Sequence, residues 1–448
     1  MTRQLHLGAF LLESGHHVAA WRSPDVPDRA GLDFGLYRRL AQTAEQALFD
    51  AVFVADSVAV EEGPGAERIS RSARFEPLTL MSALAAVTER IGLVATVTAT
   101  YNEPYHVARK FASLDHLSGG RSGWNLVTSD NAAEAGNFGR AEHIAHADRY
   151  ARAEEFLLVV QGLWDSWEDD AFINDRDSGV YYRPDGRHVL DHDGAHFKVR
   201  GPLNVARSPQ GQPVIVQAGS SEAGRQLAAR SAEVVFTAQS NLAAAQAFYG
   251  DMKRRTAEAG RSPESLKIMP GVFVVVGRSR AEAEDKQAAL QALVDPVAAV
   301  GLVSRMIGNF DLSGYPLDEP LPELPLTESG QRSRQQLLSS LARDGQLTLR
   351  QLALKVAGGR GHLNVVGTAA DVADVLQTWF EQGAADGFNV MPPTLPAGLD
   401  DFATLVVPEL QRRGLFRTRY EGRTLREHLG LARPAVGAAA GFHLKEGV

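Results

Sequence analysis

The chain has 448 residues, a formal net charge of −8 and a sequence pI near 5.9, with 44% hydrophobic and 22% charged residues. This is the make-up of a globular protein of one large or two ordinary domains, and its acidic balance points away from nucleic-acid and membrane partners. The lack of cysteine excludes disulfides, thiolate chemistry and cysteine-held metals or iron–sulfur clusters.

The first strand is expected at 4–12 (QLHLGAFLL) and runs into ESGHH. Its neighbourhood lacks a full signal-peptide pattern, and no segment is long and apolar enough to span a bilayer, so a cytoplasmic location is expected. Further strands are expected at 51–56, 91–99, 123–129, 213–218, 233–238, 268–276 and 387–391. Amphipathic helical patterns lie between them, clearest at 32–49, 76–89, 104–117, 147–163, 221–231, 242–259, 369–382 and 400–413. Strand–helix alternation implies a parallel sheet with crossover helices, and eight units fit a closed (β/α)8 TIM barrel. An open doubly wound sheet is the rival, but it usually carries a glycine fingerprint after its first strand. The whole of 1–448 reads as one domain, with insertions on the rim at about 164–212 and 295–362. Long rim loops commonly cover or shape a site. The second insertion is the candidate lid, and its stretch 314–330, rich in proline and glycine, is expected to add little to the core.

The glycines of LSGGRSGWNLVTS (117–129) raise the question of a phosphate loop. They follow a helical stretch and precede a strand, the reverse of the strand-to-helix order such a loop needs, so they read as a helix C-cap and tight turn. In a parallel barrel the chemistry sits where strands end. There the sequence places Ser14, His16, His17, Asp56, Thr96, Thr98, Thr100, Asn125, Thr128, Ser129 and Gln217. These are hydroxyls, amides, imidazoles and a carboxylate. They include no metal set, no nucleophile elbow and no close carboxylate pair, and suit a polar cofactor better than hydrolysis.

The sharpest local pattern is VIVQAGSSEAGRQLAARSAEVVF (214–236). A buried strand ends in Gly-Ser-Ser and a helix begins. Ser220 or Ser221 can cap it, and the free N–H groups, the serine hydroxyls and Arg225 could together take a phosphate; a plain N-cap explains the same spacing. His146 and Tyr150 are four apart near the start of a helix and share a face, either toward a ligand over the fourth strand or toward solvent. His16 or His17 could supply an imidazole proton donor, at most one of the two.

Several phrases together resemble a known family. SGGRSGWNLVTS (118–129), GHHVAAWRSP (15–24), FVADS (53–57), RYARAEEF (149–156), PVIVQAGSSEAGRQLAARSAEVVFTA (213–238) and DGFNVMPP (386–393) are similar to the bacterial-luciferase-like flavin monooxygenases. The branch they resemble holds the nitrilotriacetate, EDTA, pristinamycin and dibenzothiophene-sulfone monooxygenases. The resemblance spans nearly the whole chain. It implies a TIM barrel that takes reduced FMN (FMNH2) from a separate NAD(P)H:flavin reductase and uses O2 to oxygenate a small organic molecule, in a homo-oligomer, dimer or tetramer. It places flavin contacts at Asp56, Thr96 or Thr98, His146, Tyr150 and Ser220/Ser221. His16 or His17 is the candidate catalytic imidazole. A deazaflavin- or flavin-dependent dehydrogenase of the same superfamily, and a non-catalytic flavin-binding protein, are the alternatives.

Overall fold

The computed structural model describes residues 3–219, 221–325 and 332–437. Eleven strands are present among them: β1 (His6–Leu11), β2 (Ala51–Val54), β3 (Gly92–Thr98), β4 (Ser122–Val127), β5 (His192–Asp193), β6 (Lys198–Val199), β7 (Val214–Ala218), β8 (Val234–Thr237), β9 (Lys267–Val276), β10 (Leu363–Gly367) and β11 (Gly387–Met391). Eight of them form a closed parallel ring in the order β11-β1-β2-β3-β4-β7-β8-β9, with β9 bonded back to β11. These eight are the strands expected from the sequence, and the fold is a TIM barrel.

The expected strands omit β10. It pairs in parallel with 272–276 of β9, while 267–270 of β9 pairs with β8. β10 lies outside the eight-strand ring and follows the second insertion directly, so the strand–helix alternation that marks the other strands does not mark it.

Side-chain alternation sorts each strand between two cores. Trp124 of β4 points outward and is fully buried among Phe111, Phe156 and Trp164, with ring centroids 5.7, 5.9 and 6.3 Å away. Those partners ride on the helices Pro104–Ser118 and His146–Trp164. Inward-facing residues form a second core that includes Phe10, Phe53, Val94, Val216 and Met269.

The turn before β4 is the C-cap expected of it. Gly119 ends the helix in the left-handed region, and Arg121 donates to the backbone oxygens of Ser118, Ile91, Thr88 and Ala85 at 2.7–3.1 Å. The guanidinium therefore ties the turn before β4 to the stretch 85–91 that leads into β3, beneath the barrel. The same end is closed by the C-terminal helix Leu425–His428, started by a Thr424–Glu427 capping box. Leu425, Leu429 and Leu431 join the inner core from below. A Cβ on Gly92 would lie 2.5 Å from Leu425 Cδ1, so the first residue of β3 must be glycine for this plug to seat.

The two insertions differ in what they do. Segment 164–212 is fastened to the outside of the barrel: Glu155 accepts from the His196 and Phe197 N–H groups at 2.9 Å, and Trp167 Nε1 donates to Leu203 O at 2.7 Å. Among the described residues none of it reaches the large cavity at the other end of the barrel, contrary to the general expectation for rim loops. Segment 295–362 contributes the helices Pro296–Met306, Arg332–Asp344 and Leu349–Gly359. They form a satellite apolar cluster with Val18 and Ile69. The stretch 314–330 adds more to packing than expected. Leu317, Leu321 and Leu324 pack on that cluster, and Leu349 N donates to Glu319 O at 2.8 Å. Residues 326–330 of the stretch lie outside the described residues.

Among the described residues no single helix is long and apolar enough to cross a membrane. Because Leu425 is fully enclosed at the bottom of the barrel, L425A should cost about 2–5 kcal/mol of unfolding free energy in a denaturant titration. The same change at Leu117, which is 69% exposed, should cost less than about 0.5 kcal/mol. Equal effects at the two sites would show that the plug is not part of the barrel core.

Candidate active site

A cavity of about 2710 Å³ opens at the C-terminal ends of the barrel strands. Ligand pockets for one small molecule are usually about 300–1,000 Å³, so this volume has room for a cofactor and a second ligand together. Phe10 and Leu12 from β1 and its exit, Phe236 from β8 and Met391 from β11 supply an apolar face. Asp56, Thr96, Thr98 and Ser129 supply a polar one, and the second insertion closes the far side with Arg334, Arg360 and His362.

Thr96 and Thr98 alternate on β3 and both reach the cavity, but their hydroxyls are engaged differently. Thr96 Oγ1 donates to Val54 O at 2.7 Å and accepts from Asn125 Nδ2 at 2.8 Å. Thr98 Oγ1 shares a 2.8 Å bond with Ser129 Oγ and accepts from Thr100 N at 3.1 Å. Asp56, just past β2, lies 3.5 Å from Arg74 Nε. Burial pushes its carboxyl up to about 6 despite that arginine.

On the opposite side, Ser221 caps the helix Glu222–Ser231 and accepts from Gly224 N at 3.2 Å. Tyr150 Oη lies 3.2 Å from Ser221 Oγ, and the His146 ring is 4.8 Å from the Tyr150 ring. The shared helix face of His146 and Tyr150 is therefore turned to the cavity, beside the N-terminus of a neighbouring helix. Gly219 has φ +146 and faces open space, where a side chain would be strained. Arg225 lines the cavity while its Nη1 is 3.0 Å from Asp251 and its guanidinium lies over Phe248. Ser220 lies outside the described residues.

His16 and His17 do not stand on the cavity wall. His16 is fully buried, with Nε2 2.9 Å from Phe10 O and its ring edge-on to Phe10 at 4.4 Å. His17 Nδ1 accepts from Ala19 N at 3.3 Å. Burial lowers both imidazoles, His17 to about 4. The tight turn after β1, with Gly15 N bonded to Leu12 O at 2.7 Å, carries His16 behind Phe10, while the His17 ring lies 6.4 Å from that of Phe273. A second histidine on the wall, besides His146, is His362, just before β10, stacked on Phe236 at 5.1 Å. It is absent from the sequence-derived residues because β10 was not read as a strand. Its glycine-flanked position in GRGHLNVVG is the one local signal. The Tyr101–His143–Arg149 group was also missed. Tyr101 Oη is 2.6 Å from His143 Nδ1, and Arg149 bonds both His143 and Ser129 O at the mouth of β4.

The sequence profile of luciferase-like monooxygenases matches residues 15–386. This chain belongs to that family. It is 50% identical over 433 residues to the N-acetyl-S-(2-succino)cysteine monooxygenase of Bacillus subtilis (strain 168), covering 96% of this chain and 98% of that one. It is 51% identical over 442 residues to nitrilotriacetate monooxygenase component A of Aminobacter aminovorans, covering 96% and 97%. Among solved structures, the long-chain alkane monooxygenase LadA superposes with a TM-score of 0.87 at 33% identity, over 99% of this chain and 100% of that one. The protein is a flavin-dependent monooxygenase of the luciferase-like family.

The residues present fit an FMN. A phosphate needs N–H and O–H donors, and the Ser221 hydroxyl, the Tyr150 hydroxyl and a helix N-terminus converge at one side of the cavity. A flat ring needs an apolar bed with polar groups at its edge, and the barrel mouth offers Phe10, Phe236 and Met391 beside Thr98 and Asp56.

The raised Asp56 pKa gives a signed pH dependence. The folded state holds a proton on Asp56 that the unfolded chain gives up near 3.8, so this residue's contribution falls as pH rises from about 4 to about 6, then levels off. Urea midpoints should therefore shift in favour of D56N over wild type across that window and stay offset above it. A difference independent of pH would place the titration elsewhere.

Proposed function

We propose that the protein is the oxygenase component of a two-component system. It takes reduced FMN from a separate NAD(P)H:flavin reductase, and with O2 oxygenates a small organic molecule. The observation that carries the FMN assignment is the convergence of Ser221, Tyr150 and His146 at one side of a cavity large enough for cofactor and substrate. The name of one relative, a component A, supports the separate reductase. The family resemblance supports a homo-oligomer, dimer or tetramer.

In this reading the chemistry supplied by bound reduced flavin is the two-electron activation of O2. The chain's own residues do the rest. Ser221 and Tyr150, with the N–H groups that open helix Glu222–Ser231, hold the phosphate; Ser220 is assigned beside them from the sequence pattern. Asp56 and Thr98 would hold the polar edge of the ring, with Thr96, bonded to Val54 O and Asn125, as their support on β3. Phe10, Phe236 and Met391 form the dry bed that keeps water from the reacting face. His16 and His17 act from one layer behind. His16, uncharged through burial and bonded to Phe10 O, positions the Phe10 ring.

The overall test is O2 uptake with chemically reduced FMN. Uptake should yield oxygenated product only when a substrate is present, and NADH alone should give none. Oxidation of substrate without O2 would instead favour a hydride-transferring dehydrogenase. The phosphate assignment is tested separately with S221A and Y150F. Each should weaken FMN binding by about 1.5–3 kcal/mol, the size of a hydrogen bond to a charged group. Riboflavin, which lacks the phosphate, should bind wild type and variants alike in a fluorescence titration. Equal losses for the two flavins would move the phosphate elsewhere.

A further inference from the structure

Ser129, just past β4, has φ +48, a left-handed backbone that serine rarely adopts. Such a conformation persists only where its surroundings hold it. Here the holding group is Arg149, buried on the helix His146–Trp164, whose Nη1 donates to Ser129 O and to His143 Nε2. A guanidinium has only donors, so the His143 nitrogen that faces it must accept. The imidazole proton is then on Nδ1, which donates to Tyr101 Oη at 2.6 Å. Burial and the adjacent arginine both push His143 toward this neutral form. The Tyr101 ring is in turn stacked on Phe138, with centroids 4.6 Å apart and planes within 4°. Arg149 is thus braced on one side by Tyr101 and His143, and on the other it fixes a backbone carbonyl.

The side chain of Ser129 shows what is being held. Its Oγ is 2.8 Å from Thr98 Oγ1, which already accepts from Thr100 N at 3.1 Å. A hydroxyl has one proton and two lone pairs. The pair therefore carries two protons and spends one between its members. Whichever atom donates, one O–H is left over, and both residues line the cavity. Thr96 differs, because its proton goes to Val54 O. The Oγ of a residue follows its backbone, so releasing the Ser129 carbonyl would release this hydroxyl as well.

We propose that Arg149 is a positioning residue for the flavin ring. Through the Ser129 carbonyl it aims the Ser129–Thr98 pair so that the spare O–H meets an acceptor atom on the ring edge. His143 is the brace that keeps Arg149 in place. The inference rests on the reading that puts Thr98 at the FMN ring. An O–H donor favours the form of the ring with more negative charge, which is the reduced one. The clamp should therefore raise the reduction potential of bound FMN.

The test is the midpoint potential of FMN bound to the full chain, measured by equilibration with a reference dye. T98V should weaken reduced FMN about 10-fold relative to oxidised FMN, which lowers a two-electron potential by about 30 mV. S129A, R149M and H143F should move the potential in the same direction. R149M combined with S129A should go no further than S129A alone, because both break one chain of contacts. H143F leaves the arginine charge in place, so its shift separates positioning from a direct effect of that charge. R149K keeps donors for the carbonyl and should recover part of the loss. If R149M fails to fold, H143F takes its place in the cycle with S129A. An unchanged potential in T98V, R149M or H143F, or full additivity in the cycle, would overturn the inference. So would a loss of affinity in R149M that is confined to FMN and spared in riboflavin, which would make Arg149 a phosphate ligand. Failure of the wild type to bind FMN would sink the proposed function and this inference together, whereas bound FMN with unmoved potentials sinks this inference alone.

Discussion

The closure of eight parallel strands into a ring is the constraint on which everything else depends. Parallel pairing sends every strand out at the same end, so polar residues far apart in the chain must meet there. Asp56, Thr98 and Met391 are hundreds of residues apart at the extremes, yet line one cavity. Closure also removes the free edge and gives each strand two buried faces. That is why Trp124 can pack against outer helices while its neighbour Asn125 bonds Thr96 inside.

A closed ring must be sealed at one end and left open at the other. The seal here is made from the C-terminal segment, with Leu425 set against Gly92, and Arg426 bonded to Gln212 O at 3.0 Å and to Glu233. The open end is narrowed by the second insertion, which brings its own apolar cluster and sets Arg334 and His362 on the cavity wall, His362 stacked on Phe236 of β8. Packing of that insertion on Val18 and Ile69 couples the wall of the cavity to the segments leaving β1 and β2.

Burial then sets the electrostatics. Asp56 is pushed up to about 6, and the imidazoles of His16, His17 and His362 are all pushed down, by the same loss of water. On the wall itself this leaves His362 uncharged and Asp56 easily protonated, while the arginines of the same lining keep their charge because arginine does not lose it on burial.

The sequence by itself determined the barrel, because its eight strands and most of its outer helices are marked by local apolar periodicity and capping residues that need no distant partner to be read. The strand-end rule put Asp56, Thr96, Thr98 and Ser221 at strand exits, since a strand's exit follows from its position in the chain; His146 and Tyr150 were marked only as one helix face, which the family resemblance turned toward the flavin, and all six line one cavity. Tertiary structure alone decided the rest. Whether His16 faced the cavity depended on a turn that hides it behind Phe10, and two adjacent histidines carry no sign of which way a turn will point them. β10 was invisible because five residues pair only when β9 is there to receive them. The roles of the two insertions diverged through contacts made far along the chain: Glu155 fastens one to the barrel's outside, while Leu338, Leu352 and Val356 gather the other over the mouth. Local pattern records what a segment can form; which face it presents is settled by packing partners that the segment does not contain.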